Sequence, residues 1–182
     1  MKVGQILNNK GVTLIELVIG MGLLVLVLSI GFSLYFFGTS SFEAGTKRGD
    51  LQQNARLVAD FIMEEVRFAR EVEIFDDLED LNESDDYHYI FLEEGDIKHK
   101  ENGEDPVVKF SEISRKVDFD LQVDISEDSD NILKIVVSAS DDEREYEVTT
   151  DVLILNLVGE IIDTSDNNGI GIKYKYPDEL EE

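Results

Sequence analysis

Apolar residues fill an early stretch of the chain without interruption. From Val12 to Phe37 the sequence has 26 residues, and the only charged side chain among them is that of Glu16. As a helix this stretch would be about 39 Å long at 1.5 Å per residue, whereas the hydrocarbon core of a bilayer is about 30 Å thick. The pattern therefore predicts a membrane-spanning helix over residues 12–37.

A different periodicity follows, after a stretch that is weakened by glycine. Gly38, Gly45 and Gly49 each lower helix propensity by about 1 kcal/mol relative to alanine, so residues 38–49 are predicted to be a flexible joint or a weakened helix. From residue 50 to residue 72, apolar side chains recur at steps of three and four with charges between them, which predicts an amphipathic helix. The apolar stripe consists of Leu51, Ala55, Val58, Ile62, Val66, Ala69 and Val72.

The remainder of the chain alternates apolar and polar residues with the period of a β-strand. Val117, Phe119, Leu121 and Val123 show this alternation most strictly. Strands are predicted at residues 87–93, 96–101, 106–110, 116–124, 131–139 and 144–158. Only residues 140–143 separate the last two runs, so these runs are predicted to form an antiparallel hairpin.

Together these elements predict the α+β fold class. A long N-terminal helix, hydrophobic and then amphipathic, would pack on an antiparallel β-sheet head over residues 73–172. Residues 173–182 are predicted to be a frayed acidic tail. The length leaves material for one modest domain after the apolar segment.

The charge of the chain excludes several classes of partner. There are 16 Lys plus Arg against 41 Asp plus Glu, which gives a formal net charge of −25. Phosphates would be repelled over the whole surface, so nucleic acid and anionic lipid headgroups are not expected as partners. There is no cysteine, which excludes disulfides and thiolate metal sites.

Catalytic residues do not form a recognisable pattern in the sequence. His88 and His99 lie in predicted strands or hairpin ends, without the context of a nucleophilic triad or of a two-histidine metal motif. Both histidines are expected at the surface. The chain is therefore not expected to be an enzyme or to hold a cofactor.

An acidic turn offers a weak candidate for a metal site. Asp124, Ser126, Asp128 and Asp130 occupy alternate positions, and oxygen ligands of this kind could hold extracellular calcium. The stretch lacks the glycine and the terminal glutamate of an EF-hand loop. A solvated acidic turn is the preferred interpretation, and no metal is expected.

The segment before the apolar run sets the predicted topology. Residues 1–11 carry Lys2 and Lys10 and no acid, so the positive-inside bias keeps them in the cytoplasm and places the head outside. A secretory signal would have a shorter apolar centre and a small-residue cleavage site, so it fits poorly. A plain single-pass anchor remains open, but it leaves Glu16 unexplained, because charged residues in membranes usually have a partner.

The residues around the start of the apolar run resemble a known processing motif. The stretch Gly11-Val-Thr-Leu-Ile-Glu16, after a short basic leader, is similar to the cleavage and methylation motif of type IV prepilins and type II secretion pseudopilins. The resemblance implies that a prepilin peptidase removes residues 1–11 by cutting between Gly11 and Val12, and then methylates the new N-terminus. That family usually has phenylalanine where this chain has Val12.

The same resemblance implies a role for Glu16 in assembly. Its carboxylate lies one helical turn from the prospective amine of Val12 and has the opposite charge. In a staggered bundle of subunits, Glu16 of one subunit would pair with the Val12 amine of its neighbour.

The function that the resemblance implies is that of a minor pilin or pseudopilin in a type IV pilus or a related secretion or competence filament. The pattern of residues 50–72 is similar to minor pilins related to pseudopilin J. The implied partners are the prepilin peptidase, other pilins and the assembly platform. The implied location is the cytoplasmic membrane, with a single span and the head outside, and then an extracellular or periplasmic filament. The alternative is a permanently anchored single-pass protein whose head binds a ligand or partner.

Overall fold

The structure is a computed structural model that describes residues 11–78, 81, 86–109, 117–127, 129–165 and 169–177. The chain divides into two compact units, one up to Thr46 and one from Lys47 onward, and the second unit is called the head below. One helix, α1 (Leu14–Val66), precedes all the strands. The strands are β1 (Glu71–Phe75), β2 (His88–Glu93), β3 (Asp96–Lys100), β4 (Val107–Val108), β5 (Asp118–Ile125), β6 (Ile132–Ser140), β7 (Glu145–Leu153), β8 (Ile162–Asp163) and β9 (Gly171–Lys175).

Helix α1 ends at Val66, so the predicted helix end near Val72 is wrong. The amide of Ala69 donates to the carbonyl of Val66, which tightens the last turn, and the amide of Arg70 then donates to the carbonyl of Lys175. The chain thus leaves the helix in order to pair with β9. Val72 is buried as the sequence predicts, but as part of strand β1.

Residues 38–49 keep helical geometry in the structure, within α1. A β-carbon added at Gly38, Gly45 or Gly49 would meet nothing within 4 Å, so packing does not demand glycine there. The flexibility of this stretch stays a prediction.

The strands form two sheets, whereas the sequence predicts one antiparallel sheet. The larger sheet has the order β4-β3-β2-β9-β1-β8, and the smaller one has the order β5-β6-β7. All pairs are antiparallel except β1 and β8, which pair in parallel with Glu73 opposite Ile162. The α+β class is confirmed, and the head is mixed instead of purely antiparallel.

Strand β9 overturns the predicted acidic tail over residues 173–182. It lies inside the larger sheet and pairs with β1 on one side and with β2 on the other. Its burial is the reason: Ile172 and Tyr174 are fully buried, which fits the interior of a sheet and not a frayed end. Residues 178–182 lie outside the described part of the chain.

One apolar cluster joins α1 to both sheets of the head. The helix contributes one face, whose buried apolar residues are spaced by three and four positions. The buried helix residues are Leu51, Asn54, Ala55, Val58, Ala59, Ile62 and Val66. Both sheets contribute alternate residues to the same cluster, including Ile74 and Ile172 from the larger sheet and Leu121 and Ile135 from the smaller one. The head is therefore a helix packed over two sheets around one main core, and a smaller apolar cluster in the larger sheet contains Phe75, Tyr89 and Phe91.

Candidate functional site

The first turn of α1 contains a capping box formed by Thr13 and Glu16. The carboxylate oxygen Oε2 of Glu16 accepts hydrogen bonds from the backbone amide and from the hydroxyl of Thr13, both at 2.9 Å. In return, the Thr13 hydroxyl accepts a hydrogen bond from the Glu16 amide at 3.3 Å. This reciprocal pair satisfies amides that a helix start otherwise leaves without partners.

The capping box gives Glu16 a role within its own chain. The spacing of a threonine followed three residues later by glutamate, before an apolar run, is the sequence signature of this motif. Thr13 was not among the site residues predicted from the sequence, although this spacing indicates its capping role. A carboxylate offers about four acceptor positions on two oxygens, so capping through Oε2 leaves room for a partner from another subunit.

Gly11 and Val12 precede the helix and are exposed. A β-carbon added at Gly11 would meet nothing within 4 Å. The structure of the chain itself therefore does not require glycine at this position. The role of Gly11 in processing stays a prediction.

The apolar part of α1 buries none of its side chains within the described chain. Its most apolar 18-residue window has a mean hydropathy of 2.6, and none of that window is buried. By length and composition, this helix is long and apolar enough to cross a membrane. Leu14, Leu24 and Phe37 are examples of large side chains that are more than half exposed.

The two serine hydroxyls of this segment are satisfied within the helix. The hydroxyl of Ser29 donates to the carbonyl of Val25 at 2.8 Å, and that of Ser33 donates to the carbonyl of Ser29 at 2.9 Å. Such bonds to the preceding turn let a helix carry serine in an apolar environment without an unmet polar group. The serines therefore do not oppose insertion.

A second group of polar side chains lies inside the head, where Glu65 of α1 meets β9. The Glu65 Oε2 accepts hydrogen bonds from the Tyr174 hydroxyl at 2.8 Å and from the Tyr176 hydroxyl at 2.9 Å. The Tyr174 oxygen is also 2.9 Å from Nε2 of His99. Because the tyrosine proton is directed at Glu65, Nε2 must donate, which assigns the Nε2–H tautomer to neutral His99.

His99 is buried, so its predicted position at the surface is wrong. Only 3% of the residue is exposed, and its ring packs edge-on against Phe61 with the ring centres 5.4 Å apart. The Nδ1 atom has no hydrogen-bond partner among the described residues, and the nearest carboxylate oxygen, from Glu101, is 3.7 Å away. His88 is half-buried and stacks on Tyr174.

Burial is the dominant influence on the titration of this cluster. Burial lowers the pKa of His99. The carboxylates of Glu65 and Glu101 partly offset this decrease, and the positive charge of Lys109 adds to it. Burial, followed by the hydrogen bond to Glu65, raises the pKa of Tyr174 far above its ordinary value. The tyrosine hydroxyls therefore stay protonated at neutral pH. The cluster connects the helix to the larger sheet and presents no activated nucleophile.

The calcium candidates are dispersed over a turn whose middle lies outside the described residues. Asp124 Oδ1 accepts a hydrogen bond from the amide of Ile125 at 2.7 Å, and Asp130 is exposed. Asp128 is outside the described part of the chain. Within that part, no three His, Cys, Asp or Glu residues come together in a way that could hold a metal ion. Calcium binding at this turn therefore stays the untested alternative to a solvated acidic turn.

Comparison of this fold with solved structures finds a minor pilin. The PilB minor pilin from Streptococcus sanguinis and a point mutant of it match with TM-scores of 0.52 and 0.55, at 15% sequence identity. The chain therefore has a minor-pilin fold. No protein-family model and no curated protein sequence matches the chain.

The minor-pilin fold extends over most of this chain and over a smaller part of the solved protein. The match covers 74% of this chain and 36% of PilB, so the chain spans about a third of the length of that protein. At this identity the likeness concerns the fold and not any individual site residue. The roles of Gly11, Val12 and Glu16 are untested by it.

Proposed function

We propose that this protein is a minor pilin or pseudopilin, a structural subunit of a type IV pilus or of a related secretion or competence filament. The observation that carries the proposal is the composition of α1. The first part of this helix is apolar on every side. Its last part contributes one buried face to the core of a head with a minor-pilin fold. An apolar helix that its own chain leaves uncovered needs a membrane or the helices of other subunits.

The exposed helix supports other pilins as the main partners. In the membrane, lipid covers its apolar surface, and in a filament the equivalent helices of neighbouring subunits replace the lipid. The assembly platform would hold the subunit during that transfer. The head, which carries most of the negative charge, lies outside the membrane in this arrangement. The role is structural and not enzymatic.

Processing by a prepilin peptidase between Gly11 and Val12 is the second part of the proposal. The scissile bond would lie in an exposed, non-helical segment, immediately before the capping box. A peptidase needs such a segment because a backbone within a helix cannot extend into a cleft. The Thr13 amide that Glu16 binds lies beyond the cut, so the cap would persist in the mature chain. The finer resemblance to pseudopilin J and the N-methylation of Val12 stay predictions.

The test is expression of the full chain in a host with an active prepilin peptidase and in the same host without it. Intact mass and N-terminal sequencing should show chains that begin at Val12 only when the peptidase is present. Gly11→Val should block the cut, because a small residue is expected to be needed there. Gly20→Ala, within the apolar helix and also in open space, is the matched control and should be cut normally.

Incorporation then separates a pilin from a permanent anchor. The mature chain should be recovered in filaments sheared from the cells, together with other pilins. Chains that keep Met1 and remain in the membrane in the presence of the peptidase would favour the single-pass binding protein instead.

A further inference from the structure

Strand β7 forms an open edge of the smaller sheet. It is nine residues long, about 30 Å at 3.4 Å per residue, and among the described strands only β6 pairs with it. The amide of Asp141 donates to the carbonyl of Arg144, and the amide of Ile154 donates to the carbonyl of Asn131. These two bonds, one at each end of the pair, establish which residues of β7 form backbone hydrogen bonds to β6. Even-numbered residues of β7 therefore bond to β6, and odd-numbered residues direct their amides and carbonyls away from it.

The side chains of this edge alternate in the same way. The odd-numbered residues are exposed, and they are Glu145, Glu147, Thr149, Asp151 and Leu153. On the opposite face, Tyr146 and Val148 are half-buried and pack at the margin of the core. One more strand at this edge would cover these two side chains on one face and lie beside a row of acids on the other.

Charge determines which kind of strand can pair here. The residues opposite Glu145 and Glu147 on β6 are Ser140 and Ser138, so no basic side chain lies in register with either acid. Asp151, by contrast, lies opposite Lys134. Two copies of β7 would bring their acids together, which opposes self-pairing. A strand with lysine or arginine beside Glu145 and Glu147 would pair favourably.

We propose that the outer edge of β7 binds an extended segment of another protein by strand addition, with basic residues at every second position and apolar residues between them. Backbone hydrogen bonds to the odd-numbered residues hold the segment. Its basic side chains lie beside Glu145 and Glu147, and its apolar side chains cover Tyr146 and Val148. This proposal rests on the edge of the smaller sheet and does not depend on the proposed role in a filament.

The test uses the full chain in mild detergent and a nine-residue peptide in which lysine alternates with valine, capped at both ends. Fluorescence anisotropy measures affinity, and amide hydrogen exchange measures the contact. Binding should slow exchange in residues 145–153 and leave residues 118–125 of β5 unchanged. A peptide with N-methyl groups on every second amide, which cannot complete the ladder, should bind at least about tenfold more weakly.

Two double variants with the same change in net charge test the side chains. Glu145→Lys with Glu147→Lys should weaken the lysine peptide at least about fivefold and strengthen a peptide in which glutamate replaces lysine. Asp120→Lys with Asp124→Lys places the same charges on exposed positions of β5, two strands away. This control should change affinity less than twofold at 150 mM salt, because the edge itself is intact.

The proposal would be overturned if the N-methylated peptide, or a peptide whose lysines are grouped at one end, bound as tightly as the alternating peptide. That result would show attraction to the acidic surface only. Unchanged hydrogen exchange in residues 145–153 at saturating peptide would also overturn it. An equal loss of affinity in both charge variants would place the contact away from β7, against the proposal.

Discussion

Thr13 and Glu16 cap α1, and the proposed filament gives Glu16 a second role that substitution can separate from capping. Within the chain, the pair caps α1 through three hydrogen bonds. Between chains, the proposed filament gives the Glu16 charge a partner in the amine of a neighbouring Val12. Capping needs an acceptor of the right reach, which glutamine also provides, whereas pairing with an amine in a medium of low dielectric needs the negative charge.

Glu16→Gln should therefore leave cleavage and membrane association at parental levels and abolish most incorporation into filaments. Glu16→Ala should insert equally well, because it makes the segment more apolar, and should also fail to incorporate. Thr13→Val removes the two hydrogen bonds of the Thr13 hydroxyl, including the one that caps the Glu16 amide, at a cost of about 1 kcal/mol at the helix start, but it keeps the charge and should still incorporate. Immunoblots of membranes and of sheared filaments measure all three. Parental incorporation of Glu16→Gln would contradict the role of the charge.

His99 makes the stability of the head depend on pH. Burial lowers its pKa below the ordinary value of 6.5, so the folded state favours neutral imidazole. Stability is therefore complete above about pH 6.5, the value in the unfolded chain, and falls as the pH drops below it. His99→Gln removes the titration and keeps an N–H that can donate to Tyr174.

Between pH 7.5 and pH 5.5, the melting temperature of the parent should decrease by more than that of His99→Gln. Differential scanning fluorimetry of the full chain in detergent checks this, with circular dichroism at pH 7.5 to confirm that the variant is folded. Parallel curves for the two proteins would show that His99 does not govern the pH dependence.

At the scale of elements, the strands that the sequence predicts are those marked by nearby residues, namely turn residues and alternating apolar and polar positions. Glu94 and Gly95 both have positive φ, 55° and 82°, as a tight hairpin between β2 and β3 requires. The hairpin of β6 and β7 is likewise confirmed around residues 140–143. Both turns join neighbours in sequence, so turn chemistry and alternation were sufficient to find them.

The missed strands pair over long distances in sequence. Strand β1 pairs with β9 about a hundred residues later, and it pairs with β8 in parallel. Neither pair is connected by a short turn, so turn residues in the sequence could not indicate it. The alternation of Ile170, Ile172 and Tyr174 is present in the sequence, but the acids that follow it suggested a tail. Tertiary pairing determined these elements, and local propensity did not reveal it.

The close approach of the Phe75 ring favours glycine at Gly171, which lies directly opposite Phe75 in the pair of β1 and β9. A β-carbon there would lie 2.3 Å from the Phe75 ring, so the ring would have to move. Gly171→Ala should lower the free energy of unfolding by about 1–3 kcal/mol. Gly49→Ala, in open space on α1, should raise it by about 0.5–1 kcal/mol. Urea unfolding of the full chain, followed by tyrosine fluorescence, measures both, and equal stability of the two variants would contradict this account.

At the scale of the whole molecule, the predicted N-terminal site and the buried cluster of the head differ in how they can be found. Gly11, Val12 and Glu16 were predicted from the resemblance of the sequence to a processing motif, and the folded geometry does not test their roles. The buried cluster around Glu65 and His99 was not predictable, since its members are up to 111 positions apart. Only the fold brings them together.

The head should fold without the apolar segment. Every buried apolar residue of the described chain is Leu51 or later, and the boundary between the two units falls between Thr46 and Lys47. A fragment from Lys47 to Glu182 therefore keeps the whole core and should be soluble, with the circular dichroism of a mixed α+β protein and a cooperative thermal transition. Its acidic surface opposes self-association, so size-exclusion chromatography should show a monomer.

A shorter fragment from Met63 to Glu182 tests whether the helix is part of that core. It loses Leu51, Ala55, Val58 and Ile62, all nearly inaccessible to solvent, and each lost apolar side chain of this kind is worth about 1–3 kcal/mol of burial. The total, about 4–12 kcal/mol, is comparable to the whole stability of a small domain, about 5–15 kcal/mol, so the shorter fragment should be unfolded or aggregated. A disordered spectrum for the longer fragment, or a cooperative transition for the shorter one, would contradict the assignment of α1 to the core of the head.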